Sequence, residues 1–563
     1  MNPIYPKPRR LVIFAAMLFF IATNFLVSSL EAQQVIARGG EYGYQFGVYE
    51  LDFYTEEKKK DPFYDLELKV VFTLPSGKEV TVDGFNDGGA LFKARAYGKE
   101  VGKWRWKSQS NDPAMDGHSG IFEILPSTFR GKLRVHPQDP YQFAYHNGDW
   151  FLHLGDTGYR FVVASEPHWK EYIDQAAAMG ATKIRTWFAM ERSKVSDLFE
   201  GNSDVLALNY WKEIERRIRY TLENHPQIVL QLIPYAEDAP LINSYADGSR
   251  KAQKIAQYAQ ARWSSFPNVQ WTMINDMFLV DNKEELTGRE VNWQTVDQMG
   301  KDMAAREPWE TLLTSHQARF TGYNFVDAPW SDLVTLEDQD QVAGLKILEY
   351  RQKVRQPIVN DEDRYELYKT PAHRRYFFRR LMWASLLSGG HATYGGLRTY
   401  EAYGGHNIGP YGDMSNEYLA WEGLDKGVSG YYDANKAGML QQGAHDFRHI
   451  HTFFEQSGLT LVGLEPDDTF VGGDSYKAKC MRGEGRYLVY LANPSGEKPE
   501  TDFPATQVAG LTVTLPEGKY TCNWFDPKSG TWIRGKLLQG GPQSLKAPAG
   551  EDWVLWIEKK SEQ

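Results

Sequence analysis

The strongest constraint on this chain is an alternation that repeats eight times between residues 131 and 460. Short apolar runs occupy residues 151–156, 181–187, 227–233, 269–276, 311–316, 332–337, 357–362 and 391–395. Segments with helical spacing intervene, for example at residues 169–179, 210–223, 252–263 and 374–387. Runs that are apolar on both faces suit parallel strands covered on each side, and strands that alternate with helices build α/β layers. The eightfold count predicts a (β/α)8 TIM barrel at residues 131–460. An open doubly wound sheet is the other solution, but no run is followed by the Gly-rich phosphate loop that such sheets carry.

Period-two patterning flanks this block. Residues 42–46, 66–72, 79–82, 91–95 and 102–107 alternate, with turn signals such as Asp61-Pro62, Pro75-Ser76-Gly77 and Asn111-Asp112-Pro113 between them, which predicts a β-sandwich at residues 33–130. The pattern returns at residues 486–491, 511–515, 521–525 and 553–557 and predicts a second sandwich at residues 461–563. Alternation puts Cys480 and Cys522 on apolar faces of one core, where a disulfide and two buried thiols are both open.

The N-terminus carries Lys7, Arg9 and Arg10 before an apolar run over residues 11–30, then Glu31-Ala32-Gln33. This is the layout of an export signal ending near residue 32, and predicts a secreted, periplasmic or cell-surface protein. Membrane attachment is expected only if the segment stays uncleaved. The formal net charge of -10 argues against nucleic acid as a partner. Aromatics reach 14%, which suits both stacking on sugar faces and the ordinary needs of β-rich domains. The 13 histidines are scattered and show no metal-ligand spacing, so neither metal nor cofactor is expected.

Two runs end in acids: Asn268-Val269-Gln270-Trp271-Thr272-Met273-Ile274-Asn275-Asp276 and Gln356-Pro357-Ile358-Val359-Asn360-Asp361-Glu362-Asp363. As the fourth and seventh strands, they open on the C-terminal face, where barrel active sites lie. Two carboxyls across one cleft are what glycosidic hydrolysis needs: an acid for the leaving oxygen and a nucleophile or base for the anomeric carbon. The bland alternatives are a helix N-cap at Asp276 and a solvated acidic cluster around Glu362.

The segments Phe151-Leu152-His153-Leu154-Gly155-Asp156-Thr157 and Ala261-Arg262-Trp263-Ser264-Ser265-Phe266-Pro267-Asn268, the tip at Asp276, Glu362 with Tyr365-Glu366, and Trp383-Ala384-Ser385-Leu386-Leu387-Ser388-Gly389-Gly390 resemble the apiosidase-like glycoside hydrolase barrels. The N-terminal unit looks like the immunoglobulin-like domain of unknown function that precedes such barrels. The C-terminal unit, with Trp524-Phe525-Asp526-Pro527-Lys528-Ser529-Gly530, looks like a collagen-binding-type module. The resemblance implies a glycosidase with Asp276 and Glu362 as its carboxylate pair. It departs from the family at Asn275, where Gly more often precedes the Asp, and Asp276 is one methylene shorter than the Glu favoured by retaining barrel enzymes.

Glu362 is expected as nucleophile and Asp276 as general acid/base of a retaining hydrolase acting on a plant or algal-type polysaccharide or oligosaccharide. The other expected sugar contacts are Asp156, Arg185, Trp187, Tyr235, Asn275, His316, Glu337, Tyr365 and Tyr394. Arg185 suits either a strand-tip carboxylate or a buried structural pair, Trp187 either stacking or core, and His316 either a ligand contact or the core edge. A protein that binds carbohydrate or protein on an inactive barrel is the alternative from another class.

Overall fold

The structure is a computed structural model and describes the chain except residues 1–33, 160, 163–165, 167, 189–197, 202, 237, 283–285, 338–341, 364–374, 397–442, 495–506 and 561–563. The export-signal segment, Tyr365 and Glu366 therefore lie outside the described residues. No helix among the described residues is long and apolar enough to cross a membrane.

Two N-terminal sheets face each other. One runs in the order Ile36–Arg38, Val48–Tyr54, Leu91–Tyr97, Phe85–Gly88, and the other Tyr42–Tyr44, Ser119–Leu125, Gly102–Ser110, Leu68–Thr73, Glu79–Asp83. Alternate residues such as Phe53, Val70, Phe72, Ala94, Trp104 and Phe122 fill the space between them. Sequence patterning locates five of these nine strands. Val48–Tyr54 escapes it because both its faces are covered near its start, so Glu50 is buried where alternation would expose it.

The eight parallel strands of the central unit are β1 (Gly155–Thr157), β2 (Lys183–Trp187), β3 (Val229–Ile233), β4 (Val269–Thr272), β5 (Leu313–Thr314), β6 (Val334–Glu337), β7 (Ile358–Glu362) and β8 (His391–Tyr394). They pair in the order β5-β4-β3-β2-β1-β8-β7-β6. The barrel is nearly closed: β5 and β6 share no ladder, but the Asp332 amide donates to the Leu313 carbonyl at 2.9 Å across the seam. The wrapping helices are α1 (His168–Met179), α2 (Leu208–Asn224), α3 (Ala239–Ala246), α4 (Arg250–Trp263), α5 (Trp293–Arg306), α6 (Leu345–Arg351), α7 (Arg375–Leu387) and α8 (Phe447–Ser457).

The expected first strand needs correction. Trp150–Phe151 joins Leu133–His136 and Asp139–Tyr145 in a separate antiparallel sheet, and the barrel strand begins at Gly155. That small sheet closes the N-terminal end of the barrel: Leu133, Phe143, Tyr145 and Phe151 pack against Val229, Leu312, Leu333 and Val359 at the strand starts. The active-site end is thus the opposite one.

The C-terminal unit is one antiparallel sheet bent on itself. Gly510–Asp526 is a single strand where patterning suggests two; its first part pairs with Leu538–Lys546 and its last with Trp553–Lys559. Both faces of the sheet's middle strands are apolar because both are covered. Cys480, Val489, Leu511, Val513, Leu515, Cys522 and Leu555 form the domain's own core, whereas Leu488, Tyr490, Val554 and Trp556 belong to the core shared with α7 and α8. Both cysteines are free thiols buried in that one core, on strands separated by two others in the sheet. Tyr476, four residues before Cys480, is exposed, because the strand starts only at Ala478.

Charged side chains weld the three units together. Arg95 of the N-terminal sheet is fully buried and reaches Glu50 at 2.7 Å and Glu215 of α2 at 2.8 Å, while Arg262 of α4 meets Glu215 at 2.7 Å. On the other side Arg379 of α7 pairs with Asp446 at 2.7 Å and with Asp552 of the C-terminal sheet at 2.6 Å. Burial works against the charge on Glu50, but Arg95 and Lys93 prevail and hold it down at about 2. An acid held low contributes stability above its unfolded value of about 4.5 and loses it as pH falls toward 2. Removing one partner strands the others as buried charges, so Arg95→Met is expected to cost about 3–5 kcal/mol. Urea unfolding followed by tryptophan fluorescence checks this, and an unchanged midpoint would contradict it.

Candidate active site

Above its apolar floor the barrel interior is polar. Strand parity sends Lys183 and Arg185 of β2, Gln231 of β3, Thr272 of β4 and Thr393 of β8 inward, and Asp361 of β7 gathers them. It accepts hydrogen bonds from Thr393 Oγ1 at 2.6 Å and Gln231 Nε2 at 2.7 Å, with Lys183 Nζ at 3.5 Å. Burial opposes the charge on Asp361, but Lys183 and Arg185 hold its carboxyl below the usual range. Burial lowers Lys183 to about 8 against the pull of Asp361. The acids after Asn360 are thus no solvated cluster: Asp361 and Asp363 are both fully buried, and Asp363 accepts from Asn360 Nδ2 at 2.9 Å.

A bulge at Asp361 builds the next layer. Leu336 of β6 pairs with Asn360, but Glu337 pairs with Glu362, so Asp361 is the extra residue. In a regular strand Asp361 and Glu362 would face opposite sides; the bulge re-aims Glu362 so that both reach the interior. Glu362 accepts from Arg185 Nη1 at 2.7 Å and from the Tyr159 hydroxyl at 2.7 Å. Arg185 is fully buried, and its other terminal nitrogen donates to Asn275 Oδ1 and, at 2.9 Å, to His316 Nδ1. Tyr159 also donates to Asn275 at 3.1 Å, and the Arg185 guanidinium lies 5.1 Å from the Tyr159 ring centroid. Burial, and then Arg185, push His316 down to about 3, so the imidazole is neutral. Since Nδ1 accepts from Arg185, the proton resides on Nε2.

Asp276 sits apart from this cluster. The backbone turns into the left-handed region at Asp276, with φ of 51°, just after Asn275 points into the mouth. Its carboxylate pairs with Arg289, which is itself 40% exposed. For an acid with a Cβ, that conformation costs on the order of 1–3 kcal/mol and marks a position the fold holds deliberately.

The remaining expected contacts divide. Asp156 is buried at the tip of β1 and accepts from the Tyr172 hydroxyl at 2.7 Å. Glu337 ends β6 beside Glu362 and pairs with Arg319 at 2.7 Å. Three others do not face the site as sugar contacts. Trp187 is buried under Tyr159, with ring centroids 4.1 Å apart and planes inclined by 16°, so it stacks on protein and supports the Tyr159 hydroxyl. Tyr235 lies just beyond the end of β3, where its backbone is still bridged to Ile274, and its hydroxyl donates to the Ala252 carbonyl of α4 at 2.5 Å. Tyr394 packs edge-on against Phe378 at 4.7 Å in the core beneath α7. Sequence inspection misses Tyr159, Lys183, Gln231 and Arg319 as parts of the site. Strand parity carries a signal for Lys183 and Gln231, both in phase with Arg185 or with the neighbouring strand; Tyr159 and Arg319 lie in loops with no such period.

One nitrogen of His316 and one oxygen each of Glu337 and Glu362 lie within 4.8 Å of one another, the type of trio that holds a metal. Arg185 and Arg319 already place two guanidinium charges against these two acids, so a divalent cation would bring excess positive charge into a buried site.

Comparison with known proteins agrees with this architecture. A proposed glycoside hydrolase from Bacteroides vulgatus ATCC 8482 superposes with a TM-score of 0.71 at 18% identity, covering 92% of this chain and 100% of that one. A glycoside hydrolase family 5 protein from the same organism gives 0.58 at 15% identity, covering 77% and 95%. At these identities the likeness establishes the fold alone. No curated protein sequence matches the chain. Residues 44–111 match a family described as a domain of unknown function, DUF5060. Residues 138–460, more than half of the chain, match the family described as apiosidase-like, catalytic domain, and the chain accordingly belongs to the apiosidase-like family and carries a glycoside hydrolase-like catalytic domain.

Proposed function

We propose that the chain is an exported, retaining glycoside hydrolase in which Glu362 is the nucleophile and Asp276 the general acid/base. The observation that carries this reading is the hold on Glu362: a buried carboxylate at the tip of β7, fixed by Arg185 and Tyr159 at 2.7 Å each. Arg185 favours the charged form that a nucleophile needs. Both bonds fall on one oxygen, Oε2, and so orient the carboxylate. In the mechanism this supports, Glu362 attacks the anomeric carbon while Asp276 delivers a proton to the departing oxygen. Water then hydrolyses the glycosyl ester, with Asp276 taking the water's proton. The half-exposed Arg289 must release Asp276 for this cycle, so we read the pair as the resting state of the acid.

The substrate class we favour is a plant or algal-type polysaccharide or its oligosaccharides. The basic and apolar N-terminal segment supports export to a secreted, periplasmic or cell-surface location. We assign the C-terminal sheet to attachment, its likeness to collagen-binding-type modules resting on residues 524–530.

Glu362→Gln and Asp276→Asn are each expected to keep the fold and to lower kcat by about three orders of magnitude or more on a substrate found by polysaccharide screening. Near wild-type turnover in either would sink the assignment, and azide should restore turnover to Glu362→Ala through a glycosyl azide. The first-formed product, followed by proton NMR, is expected to keep the anomeric configuration of the substrate. An inverted product would make Glu362 a base that activates water.

A further inference from the structure

Glu337 stands out because nothing in the proposed cycle uses it, yet it is buried beside the nucleophile. One of its oxygens pairs with Arg319, and the other, Oε2, has no hydrogen-bond partner among the described residues. His316 Nε2 is likewise without a partner among them, although it bears the ring proton. One nitrogen of His316, one oxygen of Glu337 and one of Glu362 form the trio spaced within 4.8 Å. Three atoms at such a spacing are bridged by one oxygen about 2.8 Å from each, an ordinary hydrogen-bond length.

We infer that Glu337 is a specificity-determining residue: together with His316, it forms a receptor for one hydroxyl group of the sugar held against Glu362. This deepens the glycosidase reading and rests on it. The hydroxyl accepts a hydrogen bond from His316 Nε2–H and donates to a Glu362 oxygen; the carboxylic acid of Glu337 completes its shell. A site of this kind rejects a sugar lacking that hydroxyl, because buried polar atoms would be left unpaired.

The groups facing Glu337 account for its proton. Arg319, from the segment between β5 and β6, and Arg185 of β2 favour ionisation; Glu362 of β7 opposes it, while His316 is neutral and Tyr159 retains its phenolic proton. Burial is the largest influence, Glu362 adds to it, and together they raise Glu337 to about 8. An acid raised in the folded state binds its proton between the unfolded value of about 4.5 and about 8, so the folded chain loses stability as pH rises across that window.

The full chain and its Glu337→Gln variant, which keeps the shape and removes the titration, are compared by Tm from pH 4 to 9. The variant is expected to gain Tm relative to wild type as pH rises through the window, and parallel curves would overturn the neutral-acid assignment without involving activity. The monosaccharide product of the screened substrate and its monodeoxy analogues, titrated by calorimetry, test the receptor. One analogue is expected to bind about tenfold more weakly than the parent to wild type and equally with it to Glu337→Leu. Equal losses in both proteins for every analogue would overturn the receptor. If no sugar is hydrolysed at all, the glycosidase reading fails, and the Tm comparison still decides the protonation of Glu337.

Discussion

The site depends on one buried cation. Arg185 rises from β2 into the centre of the barrel and touches Glu362, Asn275 and His316 at once, with Asp361 just below. A guanidinium without solvent is tolerable only when its donors are met by acceptors in fixed places. Its planar fork therefore dictates where three strand tips must end. Burial and then this charge keep His316 neutral, and the charge favours ionised Glu362, so geometry and protonation are set together.

The rest of the fold supplies the dry, rigid surroundings that such a centre requires. The small sheet under the barrel seals its lower end. The Arg95–Glu50–Glu215 and Asp446–Arg379–Asp552 networks fasten the flanking sheets to helices α2 and α7, whose inner neighbours are the strands of the site. Helix α7 shows the result: every residue from Tyr376 to Leu387 is buried, two arginines included, since the barrel covers one side and the C-terminal sheet the other.

Much of this is legible in the sequence. The eight runs stand out because parallel barrel strands are apolar on both faces, and the abrupt carboxylates at Asp276 and Glu362 mark where strands end. What escapes has physical causes. The bulge at Asp361 breaks the parity on which any face assignment rests, so Asp361 and Glu362 look like a surface cluster. Tyr235 and Trp187 have the right residue types at the right strand ends, but type does not report that the Tyr235 hydroxyl is bonded to helix α4 or that Tyr159 lies over Trp187. Tyr159 itself comes from a loop. Glu50 and Arg95 read as the polar face of a sandwich until a second domain covers them.

The central claim, that the Arg185-held carboxylate of Glu362 attacks the sugar, is tested most directly by trapping. A 2-deoxy-2-fluoro glycosyl fluoride of the identified substrate sugar should inactivate the enzyme slowly and add one glycosyl mass to the peptide that carries Glu362, because the fluorine slows hydrolysis of the covalent ester more than its formation. A label on Glu337, Asp276 or any other residue would contradict the account.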